Sequence, residues 1–250
     1  MTTSGFPLDA VTFDFWNTLV QENIARTGQD SRAARMRELI QGLGEERTDE
    51  QIREAIRRGI ERYSEAIKAD YRELGLAGRW ALIAEELSLP PDLVPVEAVD
   101  AIYDTVYVAN PPQLTPGIRE AILAVKGMGL KVAVICNTGM AGGIILRKVL
   151  VHHGLLDLFD VTTWSDEHGW AKPHPTIFDD TLGRLGGISS SRALHIGDLE
   201  YLDVDGAYNA GMFSALYAPK ADAGVETRAH VIVRDWADFA AQLRQLPSSR

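Results

Sequence analysis

The chain has 250 residues, is 46% hydrophobic, and sets 25 Lys and Arg against 35 Asp and Glu, a net charge of −10. That length supports one sizeable core, or a core with a smaller companion. The acidic balance argues against non-specific binding to nucleic acid or an anionic membrane, but not against a small anionic substrate, because a local site can oppose the global sign.

Residues 11–13 read Val-Thr-Phe, β-branched or aromatic as suits a buried strand. They run into Asp14 and then Asn17 and Thr18. From residue 23 to about 110, helix formers and charges dominate. Thr48-Asp49-Glu50-Gln51 has capping-box spacing. Ile52, Ile56, Ile60, Tyr63 and Ile67 then recur at helical intervals, as do Trp80, Ile83, Ala84 and Leu87, and Val99, Ile102, Tyr103 and Val106. Pro90-Pro91 and Pro111-Pro112 punctuate the segment. No strand is expected there, and the apolar stripes predict helices packed on one another.

A second texture begins at Leu114. Thr115-Pro116-Gly117 reads as an N-cap with a first-turn proline, opening a helix with Ile118, Ile122 and Val125 on its buried side and Gly129 at its end. Residues 131–136 form a central-strand candidate. Asn137-Thr138-Gly139 follows as a turn into a helix through Ile144, Ile145 and Leu146. Residues 161–164 are a further strand, 176–185 a helix, and 193–196 a strand leading to Gly197-Asp198 and a helix that ends near Gly211. Residues 213–217 and 231–233 are short strands, and Asp235 caps a last helix over 236–246. Alternating strands and helices imply a parallel α/β sheet covered on both faces. The expected organisation is an α/β core of residues 1–20 and 112–250, with a helical domain of residues 21–111 inserted after the first strand.

The chemistry-bearing residues follow predicted strands. Asp14 follows the first, Asn137 and Thr138 the second, and Asp198 the strand containing His195, with Asp203 shortly after. Lys172 lies in Gly-Trp-Ala-Lys-Pro-His-Pro (169–175), a loop whose prolines oppose helix. Parallel strands bring these ends to one edge of the sheet, where ligands bind. Clustered carboxylates repel unless a cation lies between them, and oxygen ligands in this number suit Mg²⁺. Lys172 and the turn amides at Asn137, expected at a helix N-terminus, would hold phosphate oxygens. Asp14 is then the candidate nucleophile, passing through an aspartyl-phosphate.

Four motifs stand in order: Phe13-Asp14-Phe15-Trp16-Asn17-Thr18-Leu19; residues 132–139, ending Cys136-Asn137-Thr138-Gly139; residues 165–178, around Lys172; and residues 195–203, around Asp198 and Asp203, followed by Gly206-Ala207 and Ala210-Gly211-Met212. On these the chain resembles the haloacid dehalogenase superfamily of hydrolases, in the branch with a helical cap after the first motif. The resemblance covers about residues 10–217. It implies a Rossmann-like core, with Asp14 as nucleophile and Lys172 steadying nucleophile and phosphate. Mg²⁺ would be held by Asp14, the Trp16 backbone carbonyl, Asp198 and Asp203, the last supporting either the metal or Lys172. Trp16, Thr18, Asn137 and Thr138 would line the phosphate pocket or hold its loop.

Two positions depart from the superfamily pattern. Most of its phosphatases carry a second Asp two residues after the nucleophile, as acid and base for the leaving group and water; here that residue is Trp16. Dehalogenating members also lack that Asp and carry an aromatic there. The leading expectation is therefore a Mg²⁺-dependent phosphatase of a small phosphorylated metabolite. The alternatives are displacement at carbon through an aspartyl ester, or a weakly active ligand-binding member. At the second position, Cys136 stands where Ser or Thr usually binds phosphate, and it reads as a small buried hydrophobe.

Other features read more plainly. His152-His153 sits at a helix end, where histidine suits the dipole. His168 and His174, near Lys172, are candidates to reach substrate, whereas His195 reads as part of its strand. Arg26, Arg32, Arg35 and Arg37 are a solvated helix face or, alternatively, an anion clamp, and Trp164 and Trp170 are pocket walls or packing. The single cysteine excludes an intrachain disulfide and fits a reducing compartment. No apolar run approaches the roughly 20 residues of a spanning helix, and residues 1–9 lack the basic region and apolar core of a signal peptide. The expected protein is cytoplasmic, with a small anionic substrate and neither nucleic acid nor membrane as partner.

Overall fold

A computed structural model describes residues 6–21, 26–222 and 224–247 of the chain, without the side chains of 26–29. Asn23, the Arg26 side chain and most of residues 1–9 thus lie outside the described residues. The first strand, β1 (Ala10–Phe13), is followed by four helices, α1 (Arg26–Gly42), α2 (Asp49–Asp70), α3 (Gly75–Glu86) and α4 (Val96–Ala109). The chain then alternates: α5 (Ile118–Gly127), β2 (Lys131–Cys136), α6 (Gly143–His152), β3 (Val161–Trp164), α7 (Ser165–His168), α8 (Pro175–Arg184), β4 (Ala193–Gly197), α9 (Asp205–Asn209), β5 (Phe213–Tyr217), β6 (Val231–Val233) and α10 (Trp236–Leu243).

The strands form one parallel sheet in the order β3-β2-β1-β4-β5-β6. From β1 the chain steps outward through β2 and β3, then crosses to β4 and steps outward the other way. The reversal leaves a crevice outside the carboxyl ends of β1 and β4, where ligands bind in open α/β sheets. Period-two alternation builds both faces. Val11, Phe13, Val132 and Val134 pack with Ile118 and Ile122 of α5 and Trp236 and Phe239 of α10. Ala10, Ala133 and Ile135 pack with Ile177, Phe178 and Leu182 of α8. Each fully buried aliphatic or aromatic side chain contributes about 1.5–3 kcal/mol, which offsets the burial of charge described below.

In the helical insert, Thr48 and Gln51 form the expected capping box. The stripes of α2, α3 and α4 are buried at every predicted position but Ile60, which is 40% exposed. That residue instead lines the cavity over the sheet edge. No described helix is long and apolar enough to cross a membrane.

Local expectations change at several points. Thr115 is not an N-cap: α5 starts after Gly117, whose φ of 84° suits glycine. The Thr115 hydroxyl donates to the Thr18 carbonyl at 2.6 Å and accepts from the Trp236 indole at 3.1 Å, so it ties α10 to the loop after β1. The helix after Asn137 starts at Gly143, not directly after the turn. A π-helical turn, Glu200–Val204, precedes α9. The last helix is capped by Asp235 as expected but ends at Leu243. Finally, Arg72 of the insert forms an isolated antiparallel bridge with Trp170.

Candidate active site

Asp14 is the first residue past β1, and its N–H donates to the Ile196 carbonyl at 2.8 Å, continuing the β1–β4 ladder by one step. This fixes its carboxylate beside the end of β4. Lys172 reaches the same point from the loop before α8. Its Nζ is 2.6 Å from Asp14 Oδ1 and 2.6 Å from Asp203 Oδ1, with all three side chains buried. Asp203 also accepts from the Leu199 N–H at 3.0 Å and lies 3.1 Å from His195 Nε2. A carboxylate only accepts, so the His195 proton sits on Nε2, and Nδ1 accepts from the Thr12 hydroxyl at 2.8 Å. Thr12, His195, Asp203, Lys172 and Asp14 thus form a continuous hydrogen-bonded line beneath the sheet edge.

Gly197 makes room for this line: a Cβ there would come within 2.1 Å of the Asp203 side chain. Half-buried Asp198 completes the acidic group. One oxygen from each of Asp14, Asp198 and Asp203 lies within 4.8 Å of the others. Such a set of hard oxygens, crowded and mutually repelling, fits Mg²⁺. Burial, with like charge from Asp203 and Asp198, holds the Asp14 carboxyl above the ordinary range despite Lys172. Burial and Asp203 likewise raise Asp198, although the Asn17 side chain hydrogen-bonds it. Asp203 goes the other way: Lys172 and His195 overcome its burial and hold it well below the ordinary range. For Lys172, Asp14 and Asp203 outweigh burial and keep the ammonium charged.

Asn137 and Lys172 hold each other. The Asn137 amide accepts from the Lys172 N–H at 2.7 Å and donates to the Lys172 carbonyl at 2.9 Å. Both of its polar ends are therefore occupied in placing the lysine, although Asn137 still lines the cavity. Thr138 is buried, and its N–H donates to Ser165 Oγ at 3.0 Å. The following helix begins only at Gly143, six residues past Asn137, and Asp166 accepts from the Gly143 N–H at 3.1 Å. Thr18 is fully buried off the cavity wall, its hydroxyl without a hydrogen-bond partner among the described residues and its carbonyl bound by Thr115. Trp16 occupies the usual acid position as a packed aromatic, 5.0 Å from Phe15 and 6.0 Å from Tyr107 of α4 between ring centroids. Cys136 is fully buried, and burial pushes its thiol well up, as befits a packing residue.

The histidines near the lysine loop do not line the cavity. His168 pairs with Asp180, while His174 caps α8 and stacks on Trp170. Trp164 is core packing against Phe15. Of the arginine run, Arg35 is exposed and Arg37 pairs with Asp49, but Arg32 is buried and faces the cavity.

Several residues of the site were missed by sequence reasoning. Ser165 bridges Thr138 to Glu73, donating to the carboxylate at 2.7 Å, and Glu73 also accepts from Tyr63 at 2.8 Å. Arg79, fully buried in α3, donates to the Gly139 carbonyl and to the Gly75 carbonyl at 3.1 Å. Ser165 follows β3 directly, so the strand-end rule that singled out Asp14 and Asp198 also reaches it. Glu73, Tyr63 and Arg79 carry no comparable signal, since they come from the helical insert.

The cavity over this edge has a volume of about 950 Å³ and is walled by both the sheet loops and the insert. The model for haloacid dehalogenase-like hydrolases matches residues 8–211. Pyrimidine 5'-nucleotidase YjjG of Escherichia coli is 33% identical over 136 residues, 54% of this chain and 56% of that protein. This chain thus spans about half the length of that relative. Glyceraldehyde 3-phosphate phosphatase of Methanopyrus kandleri is 25% identical over 210 residues, 82% of each chain. Among solved structures, 2-haloacid dehalogenase of Pseudomonas syringae pv. Tomato superposes with a TM-score of 0.65 at 20% identity, covering 94% of this chain and 98% of that one. That likeness bears on the fold alone.

Proposed function

The chain belongs to the haloacid dehalogenase-like hydrolases, and from that premise we propose that it is a Mg²⁺-dependent phosphatase acting on a small phosphorylated metabolite. The observation that carries this reading is the buried Asp14–Lys172–Asp203 line with Asp198 beside it. The Asp14 carboxylate attacks phosphorus as the ester P–O bond breaks, the leaving oxygen takes a proton from solvent, and water then cleaves the aspartyl-phosphate to release inorganic phosphate and restore Asp14. Lys172 stays protonated and offsets charge on the transferring group. Asp14, Asp198 and the Trp16 carbonyl would hold Mg²⁺, which when bound supplies positive charge at the same group. Asp203 acts from behind by fixing Lys172. The phosphatase and nucleotidase names of the relatives support phosphoryl transfer over halide displacement. A cytoplasmic location belongs to the same reading and rests on the single reduced thiol.

One observation favours displacement at carbon instead: Trp16 leaves no carboxylic acid where an alkoxide would need a proton. Assays of phosphate release from a panel of monoesters with and without Mg²⁺, beside halide release from 2-halo acids, separate the two. Phosphate release that requires Mg²⁺ and is abolished in a folded Asp14→Asn variant is expected. Halide release without phosphate release would overturn the reading.

A further inference from the structure

Arg32 is a buried charge of the cavity wall with no carboxylate partner among the described residues. It lies on α1 with 8% of its surface exposed, and its buried Nε has no hydrogen-bond partner among the described residues. Its guanidinium carbon sits 5.4 Å from the centre of the Tyr103 ring. No described carboxylate pairs with it, although other arginines of the insert are matched: Arg37 with Asp49, Arg57 with Glu54, and Arg62 with Glu85. Guanidinium stays charged at any working pH, and an ion withdrawn from water is strongly unfavourable without a counter-charge. The described carboxylates of the cavity wall do not provide one. Asp14 and Asp203 bind Lys172, Asp198 stands in the same acidic group and is hydrogen-bonded by the Asn17 side chain, and Glu200 accepts from the Thr227 hydroxyl at 2.6 Å and the Arg228 N–H at 3.0 Å. The same cavity offers apolar and aromatic surface from Trp16 and Tyr107, and a second, exposed cation in Lys68.

We propose that Arg32 is a subsite for a second oxyanion, a carboxylate or phosphate carried by the leaving group, so that the preferred substrates are phosphate monoesters with an apolar body and an anionic far end. This rests on the phosphatase reading. The guanidinium fork takes up the oxyanion in paired hydrogen bonds, while Trp16 and Tyr107 flank the body between the two charges. The two anions also complement a cavity whose cations stand on opposite parts of the fold, Lys172 in the core and Arg32 in the insert.

The test measures binding and turnover separately. Calorimetric titration with Mg²⁺ present compares 4-carboxybenzylphosphonate and 1,4-xylylenebisphosphonate with the neutral 4-carbamoylbenzylphosphonate, none of which is hydrolysed. At least one oxyanion ligand is expected to bind about ten- to a hundred-fold more tightly than the neutral one, and the favoured ligand identifies the oxyanion. Arg32→Gln should remove the preference while leaving affinity for the neutral ligand unchanged, and Arg32→Lys should keep part of it. Equal wild-type affinities overturn the proposal, whatever the fate of the variants. So does a preference that survives in Arg32→Gln, or a loss shared equally by the neutral ligand, which would place Arg32 on the transferred phosphoryl group. Phosphate release from 4-carbamoylphenyl phosphate by the wild type tests the phosphatase reading on its own.

Discussion

Lys172 has its ammonium 2.6 Å from two carboxylates, and its backbone is held at both ends by Asn137. A flexible side chain thereby becomes a fixed positive charge at the nucleophile. Trp16 shows the opposite economy: the position that carries acid and base in most phosphatases of the superfamily here holds a packed indole. Trp16→Asp should raise turnover of alkyl phosphates, toward the lower end of the ~10²–10⁴-fold that such help gives. It should change aryl phosphates little, since their leaving groups need no proton. A matched alkyl and aryl pair assayed with both proteins measures this, and no gain on the alkyl ester from a folded, Mg²⁺-binding variant would count against it. His195 gives a pH prediction. Burial lowers its pKa from 6.5 to about 4, so the folded form stays neutral while the unfolded chain takes up a proton. Stability from this group is therefore present above about pH 6.5 and lost as pH falls toward 4, by up to about 3 kcal/mol. The raised Asp14 and Asp198 act with the opposite sign in that window, so the comparison must be with His195→Asn in chelator-treated buffer. The gap in unfolding free energy between the two proteins should narrow as the pH is lowered; a constant gap would refute the assignment.

At the scale of elements, the site is assembled from strand ends: β1 supplies Asp14, β2 Asn137, β3 Ser165 and β4 Asp198. The helical insert contributes through α2 and the segment after it. There Glu73 accepts from Tyr63 of α2 and from Ser165 of the core, and the backbone N–H of Ala171 donates to the Tyr71 carbonyl at 2.9 Å. The Arg72 guanidinium lies 4.0 Å from the centre of the Trp170 ring. These contacts place the insert directly on the loop that carries Lys172. Glu73→Ala leaves two hydroxyl donors without their acceptor. It should lower stability by about 1–2 kcal/mol, read from urea unfolding, and Glu73→Gln should recover part of the loss because the amide oxygen still accepts. Equal stability of all three proteins would show that the bridge contributes nothing.

For the whole molecule, we propose the division expected from the sequence, an α/β core of residues 1–20 and 112–250 and a helical cap of residues 21–111. Helices α1 to α4 pack mainly on one another, while α4 also meets α6 and α3 meets α7. The apolar core is nonetheless continuous through Trp16 and Tyr107, so cap and core share a wall at the cavity. A cation joining Asp14 and Asp198 relieves repulsion in the folded chain only. Mg²⁺ at about a hundred times its dissociation constant should therefore stabilise the protein by about 2.7 kcal/mol, visible as a rise in melting temperature. Asp198→Ala should lose most of that rise; an undiminished shift in this variant would remove Asp198 from the metal site.

The sequence by itself determined the architecture and the membership of the acidic centre, because both rest on local signals. Continuous apolar runs such as 132–136 and helical stripes such as that of α2 report burial directly. Parallel strands then bring Asp14, Asn137, Asp198 and, through the next loop, Lys172 to one edge. The roles of individual polar groups were decided only by tertiary structure. Thr115 reads locally as a helix cap, yet its hydroxyl binds Thr18 and Trp236, residues nearly a hundred or more positions away. The turn after β2 reads as a helix N-terminus, but α6 begins at Gly143 and its amide is taken by Asp166. Glu73 and Ser165 are 92 positions apart, and no periodicity relates them. Arg32 stood among four arginines that shared two readings, a solvated face or an anion clamp, and only the folded chain set it apart, buried at the cavity with no carboxylate partner among the described residues. Hydrogen bonds and ion pairs depend on which distant side chains the fold brings within about 3 Å, a quantity that a local pattern does not contain.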